Sequence, residues 1–181
     1  MAEQNKETFE QYNFKKIVTQ CPHCFTTLKN DYAEMGIELD VVHHSQFIDE
    51  LINEKKIEPK PYLDEDITFH DPCYLGRHNG EYDAPRKVLQ SVLKEGRIKE
   101  MEQSKSDSFC CGAGGGNMWY EIKTGERINQ NRVNQAVGTE AKTIAAACNF
   151  CNIMLEDGVK TTGNEENVKV LDIAEMVSKG L

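Results

Sequence analysis

The chain has 181 residues, 39% of them hydrophobic, which is enough to form the core of one ordinary domain or two small ones. Its formal net charge of -9 at pH 7 predicts no nucleic-acid partner, because such a partner requires a basic face that displaces counterions from phosphate. No apolar run approaches the ~20 residues of a membrane helix, and residues 1–16 are polar and charged. We therefore expect a cytoplasmic protein without a signal peptide, associated with a membrane only through partners.

Seven cysteines are the most informative feature of the composition. An odd number argues against a fully paired secreted disulfide framework, and a bridge between the neighbours Cys110 and Cys111 would be strained. In a reducing compartment, clustered cysteines more often bind metal or take part in redox chemistry. The composition therefore predicts a metal-binding or redox protein.

The first structured segment opens with a strand-like run at residues 16–19, which leads into the C-x-x-C pair Cys21 and Cys24. Gly36 is the predicted end of the helix that follows. That helix is predicted from apolar residues at three- to four-residue spacing: Phe25, Leu28, Tyr32 and Met35.

A strand is predicted next from Leu39 to His43, and then a helix from Gln46 to Asn53 with Ser45 as its N-cap. The middle segment, about residues 66–137, begins with a strand from Ile67 to His70 that leads to Cys73. A helix from Ala84 to Leu93 follows, with Asp83 as its cap.

After that helix come the adjacent cysteines and a helical stretch that ends near Val137. A strand-like run at residues 142–147 then leads into the second C-x-x-C pair, Cys148 and Cys151. Ile153 to Leu155 open the predicted helix after it, and Gly158 is its predicted end.

The last predicted elements are a strand from Val168 to Leu171 and a helix from Ile173 to Lys179, capped by Asp172. The order strand, C-x-x-C, helix, strand, helix thus occurs twice, which predicts a duplicated unit whose first copy lacks the middle segment. Strands that alternate with helices predict an α/β fold with a parallel sheet. The cysteines follow strands, so we expect them at one edge of that sheet.

Five cysteines have spacings that suit one metal centre. A C-x-x-C pair can chelate one centre, and a helix N-terminus favours thiolate. The glycines that follow the adjacent pair, at 112 and 114–116, let backbone N–H groups approach bound sulfide. Five thiolates exceed the four of an ordinary cubane or of structural zinc, so either one is spare or the cluster is not a simple cubane. The five are Cys73, Cys110, Cys111, Cys148 and Cys151.

Three motifs resemble the cysteine-rich CCG domain of the heterodisulfide reductase catalytic subunit. They are H-D-P-C-Y-L-G-R at residues 70–77, F-C-C-G at 109–112 and the second C-x-x-C. Similar domains occur in the iron–sulfur subunits of glycolate oxidase and glycerol-3-phosphate dehydrogenase. The resemblance covers the chain from about Lys15 and implies a Rossmann-like domain that holds a noncubane [4Fe-4S] cluster on the five cysteines.

The resemblance also implies domain boundaries. Residues 1–14 would be a polar lead, residues 15–62 the C-terminal half of a first CCG domain, and residues 63–181 a complete second one. Cys21 and Cys24 would close the truncated first copy, so they lack local partners for a second cluster.

The expected function is electron transfer within a larger iron–sulfur oxidoreductase, with flavoprotein or ferredoxin-type subunits and a membrane-bound, quinone-linked protein as partners. Disulfide reduction at the cluster is the alternative from the same family. Two further alternatives are a zinc-binding structural domain, with zinc at Cys21 and Cys24, and a metal-free thiol–disulfide protein that uses C-x-x-C. Near the cysteines, we expect His70 to be a hydrogen-bonded structural histidine and Trp119 to pack in the core.

Overall fold

The computed structural model describes residues 1–120 and 124–181, and its five strands form two small parallel sheets. Strands β1 (Ile17–Thr19) and β2 (Val41–His43) pair in register Ile17 to Val41. The second sheet has the order β3-β4-β5, with β3 at Ile67–His70, β4 at Thr143–Ala146 and β5 at Lys169–Asp172.

The helices between these strands account for the α/β class. They are α1 (Ala2–Phe9), α2 (Pro22–Thr26), α3 (Tyr32–Glu34), α4 (His44–Asn53), α5 (Cys73–Gly76), α6 (Asp83–Gln90), α7 (Ile128–Val137), α8 (Asn149–Thr161) and α9 (Ile173–Ser178). A π-helical turn at Thr27–Asp31 joins α2 to α3, and 3-10 turns lie at Lys105–Asp107 and Gly114–Trp119. None of the helices in the described part of the chain is both long and apolar enough to cross a bilayer. The parallel α/β prediction is confirmed, whereas the Rossmann-like and tandem-repeat descriptions stay predictions.

Two cores lie on opposite faces of the three-stranded sheet, because successive strand residues point to opposite sides. Ala145 of β4 packs in a core with α6 and α9, which includes Leu89 and Met176. Ile144 and Ala146 pack in the other core with α7 and α8. Both β3 and β4 are fully buried, which matches their continuous apolar sequence.

The N-terminus of α4 differs from the prediction. The helix begins at His44, and His43 rather than Ser45 is its N-cap. The His43 side chain accepts from the Ser45 backbone N–H, and Gln46 Oε1 accepts from His43 N at 3.1 Å, which forms a capping box. Strand β2 is also shorter than predicted, since it begins at Val41.

The start of α6 differs in the same way. Asp83 is its first residue rather than its cap. Glu81 Oε1 instead accepts from the backbone N–H groups of Asp83 at 3.1 Å and Ala84 at 2.8 Å. A residue outside the helix therefore satisfies the free N–H groups of the first turn, and the helix ends at Gln90 rather than Leu93.

Gly158 does not end a helix. It lies inside α8, where a Cβ atom would sit 2.7 Å from Val133 Cγ2 and 2.9 Å from the Asn129 carbonyl oxygen of α7. The glycine therefore permits the close crossing of α7 and α8. The predicted stop at Gly36 is confirmed by its φ of +75°.

The predicted cap at Asp172 is also confirmed. Its Oδ1 accepts from Ala174 N at 2.8 Å, and Glu175 Oε2 accepts from Asp172 N at 2.9 Å. Helix α9 ends at Ser178, one residue before the predicted end.

Candidate metal centre

Five cysteines that are distant in sequence converge at the carboxyl ends of β3 and β4. Cys73 begins α5, Cys148 caps α8, and Cys151 lies in the first turn of α8. Their side chains form a continuous series of contacts that runs from Cys73 to Cys110, Cys111, Cys151 and Cys148. All of these thiols are free. The structure thus brings together the residues that the sequence spacing selects, as expected for parallel strands that end at one edge.

The site is enclosed on one side and open on the other. Cys111, Cys148 and Cys151 are buried, whereas Cys73 and Cys110 are half-buried. A bound group would therefore sit in a low-dielectric environment with access to solvent near Cys73 and Cys110.

The thiols differ in acidity because each donates to or accepts from a neighbour. Cys111 and Cys73 donate to the Cys110 sulfur and hold the pKa of Cys110 well below its ordinary range. Cys151 donates to Cys148 and lowers the pKa of Cys148 to about 5. The same hydrogen bonds raise the pKa of Cys73, of Cys151 and of Cys111, the last to about 12. Protons therefore bridge sulfurs that a shared cation or cluster could bridge in their place.

The glycine loop supports the adjacent cysteines. Gly112 has a φ of +91°, which side chains rarely tolerate, and its N–H donates to Cys110 Sγ at 3.3 Å. This contact matches the expected role of the loop, since a backbone N–H directed at sulfur stabilises negative charge there.

A buried arginine lies beside the thiols. Arg132 of α7 is 0% exposed, and its Nε donates to His70 Nδ1 at 2.9 Å. Burial lowers the pKa of Arg132 to about 10, while Asp71 and the site cysteines oppose that shift. Burial and the nearby guanidinium lower the pKa of His70 to about 3. His70 is therefore neutral and hydrogen-bonded, as predicted.

Asp71 connects the loops that carry Cys73 and the adjacent pair. Its carboxylate accepts two hydrogen bonds from Arg86, at 2.8 and 2.9 Å, and one from the backbone N–H of Lys105 at 2.8 Å. Ser108 Oγ donates to the Asp71 carbonyl oxygen at 3.1 Å. One buried carboxylate thereby fixes the loop before Cys73 against the loop before Cys110.

Sequence reasoning did not identify Arg132 or Arg86 as parts of the site. The signal for Arg132 was its spacing, because the buried face of α7 comprises Asn129, Arg132, Val133 and Ala136 at helical intervals. An arginine at a core position of a short helix must find buried partners. Trp119, by contrast, is 78% exposed, so the prediction that it packs in the core is wrong.

The first C-x-x-C pair lies beside the site without joining it. Cys21 is buried, which raises its pKa to about 11, and Cys24 is exposed. Between them, His23 contacts Cys148 and stacks on Tyr74, with ring centroids 4.0 Å apart.

Zinc ligation at Cys21 and Cys24 lacks a third ligand. Within residues 1–120 and 124–181, the group of three or more candidate ligand atoms that lie within 4.8 Å of one another consists of His70, Cys111 and Cys151. The zinc site stays a prediction that these contacts do not support.

The chemistry of the larger site fits an anionic, iron-based group. Five convergent sulfurs are ligands that iron–sulfur clusters use. A buried guanidinium beside them provides positive charge for thiolates and cluster.

Comparison with known proteins agrees with this geometry. The family profile described as the CCG cysteine-rich domain matches residues 1–29 and 67–156. The whole chain aligns at 43% identity with the EtfAB:quinone oxidoreductase of Syntrophomonas wolfei, covering 26% of that protein. It aligns over its whole length at 42% identity with the probable iron–sulfur-binding oxidoreductase FadF of Bacillus subtilis, again covering 26%.

A more distant relative belongs to the dihydromethanophenazine:CoB–CoM heterodisulfide reductase of Methanosarcina barkeri, of which it is one subunit. The whole chain is 36% identical to that subunit and covers 44% of its length. The chain therefore spans between about a quarter and less than half the length of these relatives.

Proposed function

Since the chain belongs to the family of cysteine-rich CCG domains, we propose that it holds an iron–sulfur cluster and transfers electrons within a larger oxidoreductase. The proposed cluster is a [4Fe-4S] centre of noncubane type. Its proposed ligands are Cys73, Cys110, Cys111, Cys148 and Cys151.

The observation that carries this proposal is the continuous series of sulfur contacts, which includes all five cysteines at one edge of the sheet. An ordinary cubane would leave one sulfur without a role. When bound, such a cluster takes up and releases electrons. The relatives supply independent support, because one is called an iron–sulfur-binding oxidoreductase and another an oxidoreductase between EtfAB and quinone.

The chain's own residues hold and insulate the site. The thiols supply negative ligands, and Gly112 N–H donates to one of them. The buried cysteines and the core behind them exclude water from three sulfurs. The half-buried Cys73 and Cys110 define the side on which an electron donor or acceptor would approach.

The proposed partners are a flavoprotein or ferredoxin-type subunit and a membrane-bound, quinone-linked protein, in keeping with the name of the relative from Syntrophomonas wolfei. We further propose that residues 15–62 are the C-terminal half of a first CCG domain and that residues 63–181 form a second, complete one. The order of elements from β1 to α4, which matches that from β4 to α9, supports this division.

Disulfide reduction is the second candidate. It is favoured by the 36% identity with the heterodisulfide reductase component of Methanosarcina barkeri. The exposed rim near Cys73 and Cys110 offers space for a thiol-containing substrate.

One experiment separates the two candidates. The chain is loaded with iron and sulfide without oxygen, reduced with dithionite, freed of excess reductant, and mixed with either a water-soluble quinone or the disulfide cystamine. Electron transfer predicts reoxidation by the quinone and none by cystamine. Reoxidation by cystamine with release of thiol would favour disulfide reduction, and failure to bind iron would contradict both candidates. The Cys110→Ser variant is the matched control and should show neither reaction.

A further inference from the structure

Arg132 is a buried cation whose direct partners are all uncharged. Its Nη1 donates to the Gln103 carbonyl oxygen at 2.8 Å and to Gln135 Oε1 at 2.7 Å, and its Nη2 donates to Ser108 Oγ at 3.2 Å. Its Nε donates to His70 Nδ1. A fully buried guanidinium normally pairs with a carboxylate, because burial of an unpaired charge is costly.

The carboxylate that interacts with Arg132 electrostatically, Asp71, is already held by two hydrogen bonds from Arg86. The ion pairs among residues 1–120 and 124–181 do not include Arg132. The other negative charges that act on it are those of Cys151, Cys111 and Cys110. The guanidinium is therefore placed to balance charge at the cysteine site.

The hydrogen bond from Arg132 also determines the tautomer of His70. A guanidinium donates and cannot accept, so His70 Nδ1 must carry a lone pair. The proton of the neutral imidazole then resides on Nε2. The His70 side chain also has a ring nitrogen within 4.8 Å of the sulfurs of Cys111 and Cys151.

We propose that Arg132 and His70 act together as positioning residues, with Arg132 fixing His70 in its Nε2–H form so that this N–H donates to a sulfur of the bound cluster. The proposal rests on the cluster proposed above. Both groups stabilise negative charge at the site, and the reduced state is the more negative one. They therefore raise the reduction potential, since hydrogen bonds to sulfur and local charge set that potential.

The first test measures the midpoint potential of the loaded chain by electron paramagnetic resonance. Arg132→Gln retains an N–H that can reach His70 but removes the charge, and His70→Phe removes the donor to sulfur. Both variants should have a lower midpoint potential than the wild type. Because the two residues form one unit, the shift in the double variant should differ from the sum of the single shifts.

Arg127→Gln is the control for loss of one positive charge next to the same helix. Arg127 is a partly exposed residue that pairs with Asp157 at 3.2 Å. Its substitution should leave the potential near the wild-type value. A potential that is unchanged in Arg132→Gln and His70→Phe, or an equal shift in Arg127→Gln, would overturn the proposal.

The second test needs no variant and no iron. In metal-free protein labelled with ¹⁵N-histidine, long-range ¹H–¹⁵N correlation spectra report which His70 nitrogen is protonated. The proposal requires a protonated Nε2 and an unprotonated Nδ1, and the opposite tautomer would overturn it even if the variants fail to fold. The proposed function fails separately, since a chain that binds no iron can still show the required tautomer.

Discussion

Replacement of Arg86 by methionine should strongly destabilise the metal-free protein. The Asp71 side chain is 3% exposed, and Arg86 supplies two of its hydrogen bonds, at 2.8 and 2.9 Å. Without Arg86, this buried carboxylate keeps only the hydrogen bond from Lys105 N. Removal of one partner from a buried pair typically costs about 3–5 kcal/mol, because the remaining charge stays desolvated.

The other partner of Arg86 provides the matched control. Glu100 also binds the guanidinium, at 2.6 Å, but its side chain is 36% exposed, so water can replace the lost contact. We expect Glu100→Gln to cost about 0–1 kcal/mol, as for an exposed ion pair. The pair of variants thus separates loss of a charge partner from burial of an unpaired charge.

Urea unfolding of metal-free protein at pH 7, followed by far-ultraviolet circular dichroism with a thiol reductant present, gives the free energy of unfolding for each variant. The double variant Arg86→Met with Asp71→Asn should regain part of the lost stability, because the unpaired charge is gone. A loss of less than about 1 kcal/mol in Arg86→Met, or no recovery in the double variant, would refute the reasoning.

Three further predictions concern stability of the metal-free protein. Gly158→Ala should cost about 1–3 kcal/mol in urea unfolding, because its Cβ would lie 2.7 Å from Val133 Cγ2, whereas Gly138→Ala, whose Cβ meets nothing closer than 3.4 Å, should cost less; equal losses would contradict the crossing described above. Burial lowers the pKa of His43 to about 3 from an ordinary 6.5. Protonation of His43 therefore favours the unfolded chain, and its contribution to stability, complete above pH 6.5, is lost as the pH falls towards 3, by up to ~1.4 kcal/mol per pH unit. Unfolding measured at several pH values should show a weaker dependence in His43→Gln, and an identical dependence would be contrary to this account. Asp172→Ala should cost about 1–2 kcal/mol through loss of the α9 cap, while Asp172→Asn, which keeps a capping oxygen, should lose less by the same assay; equal costs would argue against the cap.

The elements that could be predicted from sequence depend on local patterns. Strand runs, the second C-x-x-C and the cap at Asp172 are each determined within a few residues. The five-cysteine set also follows from the sequence, since cysteines after parallel strands converge at one sheet edge.

The elements that could not be predicted depend on contacts between distant residues. Arg132 and His70 are 62 positions apart, and Arg86 and Asp71 are 15 apart. A spacing pattern within one helix does not show which loop lies against it.

Local signals were also ambiguous where one residue type has two roles. A glycine such as Gly158 suits a helix end as well as a close crossing of helices, and only the position of α7 decides between them. Similarly, Ser45 is a common N-cap residue, yet the buried ring of His43 takes that position because Gln46 completes its capping box.

The most direct test of the central claim counts iron and acid-labile sulfide in the anaerobically loaded chain and in two variants. Cys110 lies within the series of sulfur contacts, whereas Cys24 is exposed and outside it. The account predicts about four iron atoms for each wild-type chain, as in a [4Fe-4S] centre, a similar count in Cys24→Ala and a large loss in Cys110→Ala. Equal iron in both variants, or equal loss from both, would contradict a cluster held by the five convergent cysteines.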